Sequence, residues 1–409
     1  MSEPGLWRQR DFLKLWTGQT ISQIGSAVST LGIPFAALTL LHATPRQMGF
    51  LSGAGGASVL LVGLFAGAWA DRVRRRPLLI AADLGRAALL FTIPLAASLH
   101  RLVMPQLYAV AVATGILSVV FDAGYQAWLP TLLPPGQLVE GNSKLALSAS
   151  AAEVAGPGLT GFLVERITAP LAILADALSF LASALSLALI RQPEPPAEHE
   201  PNPHILREIA DGLRTCAESP VLRALALRTA AAAFSLGLIS SLYLILAVRE
   251  LRLSAALLGA IISVGGVSNL FGASLAPRLL ARFGAGRTLI GAALTTGLGG
   301  LLFPLAHGSV AVASGFLLAS QLFDAAWPVY SITEHCVVQA LTPNQYLGRV
   351  SSAMNLLFRG LIPAGAIAGG FLAGPLGVRQ TMFAGVAGFL LSTAFLVFSP
   401  VRQLDKLPS

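Results

Sequence analysis

Apolar runs close to the width of a bilayer recur from one end of this chain to the other, and they leave it few possible folds. A helix needs about 20 mostly apolar residues to cross the hydrocarbon core. Segments 104–121, 229–248, 310–323 with its extension and 381–399 have that character. Only helices and closed barrels can satisfy their backbone groups inside lipid. A barrel strand would alternate polar and apolar residues over roughly 10 positions. The stretches Phe180 to Ile190 and Ala384 to Phe398 do not alternate. The expected fold is therefore an all-α membrane protein. Composition agrees, with 55% hydrophobic and only 11% charged residues, against about 25% charged in soluble domains.

The pattern predicts twelve spans: 12–41, 47–70, 77–99, 104–128, 138–164, 168–190, 221–247, 254–277, 287–306, 309–332, 348–373 and 377–399. Turn residues mark the breaks, as at Pro134-Pro135-Gly136, Pro343-Asn344 and Gly374-Pro375. With the N-terminus in the cytoplasm, 18 Lys and Arg fall inside and 6 outside, leaving Arg86, Arg228 and Arg359 within spans. That asymmetry follows the positive-inside rule and puts both termini in the cytoplasm. The first span is too long for the apolar core of a cleavable leader. The net charge of +8 lies in short loops, where topology accounts for it and nucleic acid is not implied.

Between the sixth and seventh spans runs the longest polar segment. It is Pro-rich as far as Pro203, and Ile205, Ile209 and Leu213 then recur at helical spacing. This suggests an amphipathic helix on the inner membrane surface. Three domains are expected: a six-helix bundle over 1–190, a cytoplasmic linker over 191–219 and a second six-helix bundle over 220–409. The halves repeat. Phe121-Asp122-Ala123 matches Phe323-Asp324-Ala325, Pro135-Gly136-Gln137 matches Pro343-Asn344-Gln345, and Pro157 matches Pro363. All three lie near one offset, as duplication requires.

The loop between spans two and three reads Gly67-Ala-Trp-Ala-Asp71-Arg72-Val-Arg74-Arg75-Arg76. It resembles the signature loop of the major facilitator superfamily, G-x-x-x-D-R-x-x-R-R. Ala273 through Arg282 resembles a degraded second copy without the acidic residue. Leu15-Trp16-Thr-Gly18-Gln19, Phe121-Asp122-Ala-Gly-Tyr125-Gln126, Glu153-Val-Ala-Gly156-Pro157 and Asp176-Ala-Leu-Ser-Phe180 look like the drug-efflux branch that includes enterobactin and macrolide exporters. The resemblance implies two pseudo-symmetric six-helix bundles and secondary transport. It also implies a gating loop of Gly67, Asp71, Arg72 and Arg75 with Asp122, latching the halves near residues 347–351. Many proton-coupled members carry an Arg in the middle of span four, and 104–128 has none.

Ionisable residues inside a membrane are costly, and they usually line a cavity or pair with one another. Glu153 and Arg359 stand at the same offset as Pro157 and Pro363, with opposite charges. They are expected to face a cavity, Glu153 accepting a proton and Arg359 balancing it or holding an anionic substrate group. Asp176 and Asp324 are further candidates for coupling or the cavity. Gln19, Gln23, Gln126, Asn269 and Asn355 could line the substrate cavity or tie helices together. Gly156, Pro157 and Pro363 are expected to bend or closely pack spans five and eleven. Two Cys and six His in no ligand pattern predict no metal or other cofactor, and no phosphate-cradling G-x-x-x-x-G-K-[ST] is present.

The expected function is proton-coupled efflux of amphipathic organic compounds by alternating access, with small-molecule substrate, protons and lipid as partners and a monomer as the assembly. Uptake, or export of an endogenous metabolite such as a siderophore, fits the same pattern. A receptor or scaffold without transport is the competing class. No nucleophile–base or metal constellation suggests an enzyme. A bacterial inner membrane is the expected location.

Overall fold

The computed structural model describes residues 6–70, 73–192 and 205–405, which are helical throughout with no strand among them. In chain order the helices are α1 (Arg10–Thr39), α2 (Pro45–Ala70), α3 (Arg75–Ser98), α4 (Met104–Leu132), α5 (Leu138–Ile167), α6 (Ala169–Ala188), α7 (Ile205–Glu218) and α8 (Pro220–Ile245). There follow α9 (Ala255–Phe283), α10 (Ala285–Gly300), α11 (Leu302–Leu305), α12 (Val310–Phe323), α13 (Ala326–Leu341), α14 (Asn344–Leu376), α15 (Val378–Ser392) and α16 (Ala394–Val397). Ten segments of the described residues are long and apolar enough to cross a membrane. α5 spans 30 residues but stands outside that set, because Ser, Gly and charged residues dilute its apolar content. Large apolar side chains face outward, among them Leu185 at 62% exposure, Leu322 at 62% and Leu391 at 71%. Such a surface would drive association in water, whereas lipid tails solvate it.

The helices fall into two compact units. One comprises Met1–Ala43, Ala57–Asn202 and Ala255–Gly259, the other Thr44–Gly56, Pro203–Ser254 and Ala260–Ser409. In the first, α1 packs on α5 and α6, and α3 packs on α4 and α6. Phe12, Leu15, Leu79, Trp128, Leu145 and Leu187 fill its core. In the second, α8 packs on α14 and α15, and α10 on α12 and α13. Its core includes Leu225, Leu289, Ala293, Val337, Val350 and Leu396. Lipid offers no hydrophobic drive between helices, so close backbone approach must supply the packing. Gly365 of α14 meets that need: a Cβ there would strike the Phe234 carbonyl of α8.

Three connections repeat their backbone geometry. His42 (φ 49) follows α1 and Arg252 (φ 55) follows α8, while His100 (φ 53) precedes α4 and Gly308 (φ 83) precedes α12. Thr168 has φ 84 and ψ 156, and Gly377 has φ 85 and ψ 161. Residues other than Gly seldom adopt such angles. Ala43 N–H donates to the Ala37 carbonyl and Leu253 N–H to that of Ala247, each at 3.0 Å, the bond that closes a helix C-terminus. These pairs are separated by nearly the interval of the sequence matches.

Two elements differ from the expected pattern. α7 does not simply rest on a membrane surface. Its Gly212 abuts the Arg349 carbonyl of α14, Asp211 pairs with Arg349 at 3.4 Å, and Cys216 is buried in the core of the second unit. Gly212 and Cys216 are small, so that face of α7 is flat enough to seat on protein. Burial pushes the Cys216 thiol up and keeps it unreactive. Span ten, expected to end at 332, breaks at Asp324–Ala325 and then continues as α13 to Leu341. α5 and α14 run unbroken through Pro157 and Pro363. The segment 193–204, the Pro-rich part of the polar linker, lies outside the described residues.

Candidate functional site

Each unit holds a pocket built from corresponding helices: α1, α4 and α5 with Arg86 of α3 in the first, α8, α13 and α14 in the second. The first encloses about 360 Å³. Gln19 and Gln23 reach it from α1, Arg86 from α3, Asp122 from α4 and Glu153 from α5. Glu153 is exposed to the pocket. No ion pair or hydrogen bond from the described residues reaches its carboxylate. The Gln19 Nε2 and Gln23 Oε1 atoms are buried without a protein partner, as befits groups meant for water or a ligand.

Arg86 is the anchor of this pocket. It pairs with Asp83 one turn earlier on α3, and Nη1 donates to Ser118 Oγ of α4 at 3.3 Å. Its guanidinium lies 4.4 Å from the Phe121 ring centroid and 4.1 Å from that of Phe180. A buried guanidinium sandwiched between rings is held by cation–π attraction and by its carboxylate. Arg86 thus brings to α4 a positive charge that α4 lacks in its own sequence.

The second pocket encloses about 340 Å³. Tyr330 and Glu334 lie one turn apart on α13, so their side chains meet. Tyr330 Oη donates to Glu334 Oε1 at 3.1 Å, and Thr229 Oγ1 of α8 donates to the same atom at 2.7 Å. Arg228, 2% exposed, places its guanidinium carbon 3.6 Å from the Tyr330 ring centroid and 5.1 Å from that of Phe389. Its Nε and Nη2 have no protein acceptor. Asn355 and Arg359 line the same pocket from α14, with Trp327 and Phe358 tilted against each other at 5.7 Å.

Of the cavity candidates, Gln19, Gln23 and Glu153 line the first pocket and Asn355 and Arg359 the second, and Asp122, expected in the gating-loop network, also lines the first. The other cavity candidates do not line these two pockets. Asp176, 1% exposed, lies between α6 and α1; Ser179 Oγ donates to it at 3.0 Å, and it does not line the first pocket. A Cβ on Gly25 of α1 would strike Asp176 and Ser179, so the carboxylate belongs to helix packing. Asp324 sits at the α12–α13 break facing Gly265 of α9, and Asn269 keeps a buried Oδ1 without a partner on α9. Neither lines the second pocket, and exposed Gln126 does not line the first. Gly67 lies in α2 and Arg75 opens α3, while Asp71 and Arg72 are outside the described residues.

Three polar residues escaped the sequence reading as site groups: Asp83, Tyr330 and Glu334. Asp83 and Arg86 stand three apart within an apolar span, and Tyr330 and Glu334 four apart, so the helical pairing rule would have joined them.

Paired pockets on a repeated helical scaffold agree with the match of residues 15–366 to the model of the Major Facilitator Superfamily. The chain belongs to that superfamily. It is accordingly a multi-pass membrane transport protein and not an enzyme. Among superfamily proteins it is similar to the uncharacterized MFS-type transporter YfiS of Bacillus subtilis, 26% identical over 402 residues covering 96% of this chain and 93% of that one. The multidrug efflux pump Tap of Mycolicibacterium fortuitum is 25% identical over 399 residues, covering 93% and 94%. Macrolide efflux protein A of Streptococcus pyogenes is 23% identical over 407 residues, covering 98% of each. A crystal structure of a bacterial homologue of the iron transporter ferroportin shares the fold, with TM-score 0.72, 20% identity and coverage of 96% and 98%.

Proposed function

We propose that this superfamily member exports amphipathic organic compounds against proton entry. Its α2 and α5 add two spans to the ten apolar ones, giving twelve in two six-helix bundles. It works as a monomer in a bacterial inner membrane with both termini in the cytoplasm. The efflux activity named for two of its relatives supports the direction.

The observation that carries coupling is Glu153. It is a carboxylate opening on a polar pocket, with no ion pair or hydrogen bond from the described residues. We infer that this carboxylate carries the proton as access alternates. Arg86, already engaged by Asp83, supplies a fixed positive charge beside Asp122 in the same pocket. Substrate and proton sites would then be used in turn as the bundles alternate access.

Glu153→Gln tests this. Proteoliposomes with an imposed pH gradient should lose gradient-driven export while the variant keeps its thermal stability in detergent. Undiminished export by a folded Glu153→Gln protein would remove Glu153 from the mechanism. Reversing the gradient in sided vesicles separates export from uptake.

A further inference from the structure

The second pocket contains a donor without a counterpart. Arg228 is buried on the pocket wall, and its flat faces are occupied by aromatic rings: Tyr330 at 3.6 Å and Phe389 at 5.1 Å from the guanidinium carbon. Stacking uses the face of a guanidinium and leaves the N–H groups on its edge unserved. Nε and Nη2 find no acceptor in the protein. Glu334 does not serve them. Its Oε1 already accepts from Thr229 and Tyr330, and no ion pair joins it to Arg228 among the described residues.

Leaving two donors of a buried cation unmet is expensive, and an Nε–Nη edge has the fork geometry that fits a carboxylate. Arg359 lines the same pocket. With Glu334 ionised, the two guanidiniums leave a net positive charge there. The remaining wall is apolar and aromatic, from Trp327, Phe358, Met354 and Val338. About 340 Å³ is small-ligand scale, since such pockets run from roughly 300 Å³ upward.

We propose that this pocket binds an aromatic organic acid, with its carboxylate on the Arg228 edge and its rings against Trp327 and Phe358. This rests on the transport reading and names the substrate class for it. The unit-one pocket presents Glu153 and Asp122 instead, so the two pockets divide the work between proton and acid. Tyr330 and Glu334 act as positioning residues: the Tyr330 ring holds the guanidinium plane, and Glu334 holds the Tyr330 hydroxyl.

The test uses the full chain purified in detergent, with empty micelles as the blank. Naphthoate, its methyl ester and naphthylmethylammonium share one ring system and differ in charge. Equilibrium dialysis should show naphthoate bound roughly tenfold or more tighter than the ester, as a charge-assisted pair requires, with the ammonium weakest. Arg228→Gln should erase the preference for the acid over the ester. Arg228→Lys, which keeps the charge but loses the fork, should keep part of it. The wild-type comparison stands alone if a variant fails to fold. Equal binding of the three probes, no binding of any, a preference for the ammonium, or a preference that survives Arg228→Gln would overturn the proposal. Loss of gradient-driven export in Glu153→Gln is scored separately. Coupling can thus fail while acid binding stands, and acid binding can fail while coupling stands.

Discussion

Arg86 and Arg228 are buried guanidiniums resting on aromatic rings, one in each unit, but among the described residues only Arg86 forms an ion pair. Asp83 neutralises it from the same helix. The carboxylate nearest in role to Asp83 in the second unit, Glu334, is held by two hydroxyls instead. The two cations stand at different positions of the duplicated scaffold, Arg86 on α3 and Arg228 on α8, which corresponds to α1. The lesson is that a buried guanidinium can be seated on aromatic rings from different helices, while its neighbours decide whether it is structural or available.

The largest effect should come from breaking the Asp83–Arg86 pair. Asp83→Ala leaves a charge stranded and should cost about 3–5 kcal/mol, read as a large loss of thermal stability in detergent. Glu334→Gln keeps an oxygen for both hydroxyls and should cost about 1 kcal/mol. Equal losses from the two changes would mean that Glu334 balances Arg228 as Asp83 balances Arg86.

A middle-sized effect should separate the helix packing of the units. Gly365→Ala drives a methyl group into the Phe234 carbonyl, which cannot move without its helix, and should cost about 1–3 kcal/mol. Gly85→Ala meets the tip of Leu117 at 2.8 Å. A side-chain tip can turn aside, so this change should cost under about 0.5 kcal/mol, helped by the better helix propensity of Ala. Melting curves of the two variants give the comparison directly.

The smallest effect tests the repeated turn. Thr168 and Gly377 share one backbone conformation that suits only Gly. Gly377→Ala should therefore destabilise by about 1–2 kcal/mol, and Thr168→Gly should stabilise by up to about 1 kcal/mol. The second figure is smaller because Gly loses more freedom on folding. Destabilisation by Thr168→Gly would show that the Thr side chain contributes more than its backbone strain costs.

Much of the fold was legible because hydrophobicity is the signal that a membrane imposes. The boundaries failed where that signal fades. α13 carries Glu334, His335 and Gln339 beyond the apolar run that ends near 332, so a hydropathy reading stops before the helix does. Glu334 was thereby consigned to a loop, although packing on α8 buries it. Asp83 was passed over because Arg86 compensates it locally. Glu153 and Arg359 were legible for another reason: each is a charge near the middle of its span, at one offset in two similar halves. Asp176 and Asp324 look equally conspicuous in one dimension. What sets Asp176 apart is a Gly on a facing helix, Gly25, and no spacing rule records which helices face each other.

The seating of α7 on α14 has a practical consequence for anyone dividing this polypeptide into separately made pieces. The natural incision, judged from span boundaries, falls just before Pro220. It would strip the second piece of the Asp211–Arg349 pair and uncover the surface that Cys216 fills. A cut ahead of Ile205 keeps that seal, so the second piece should be made with α7 attached.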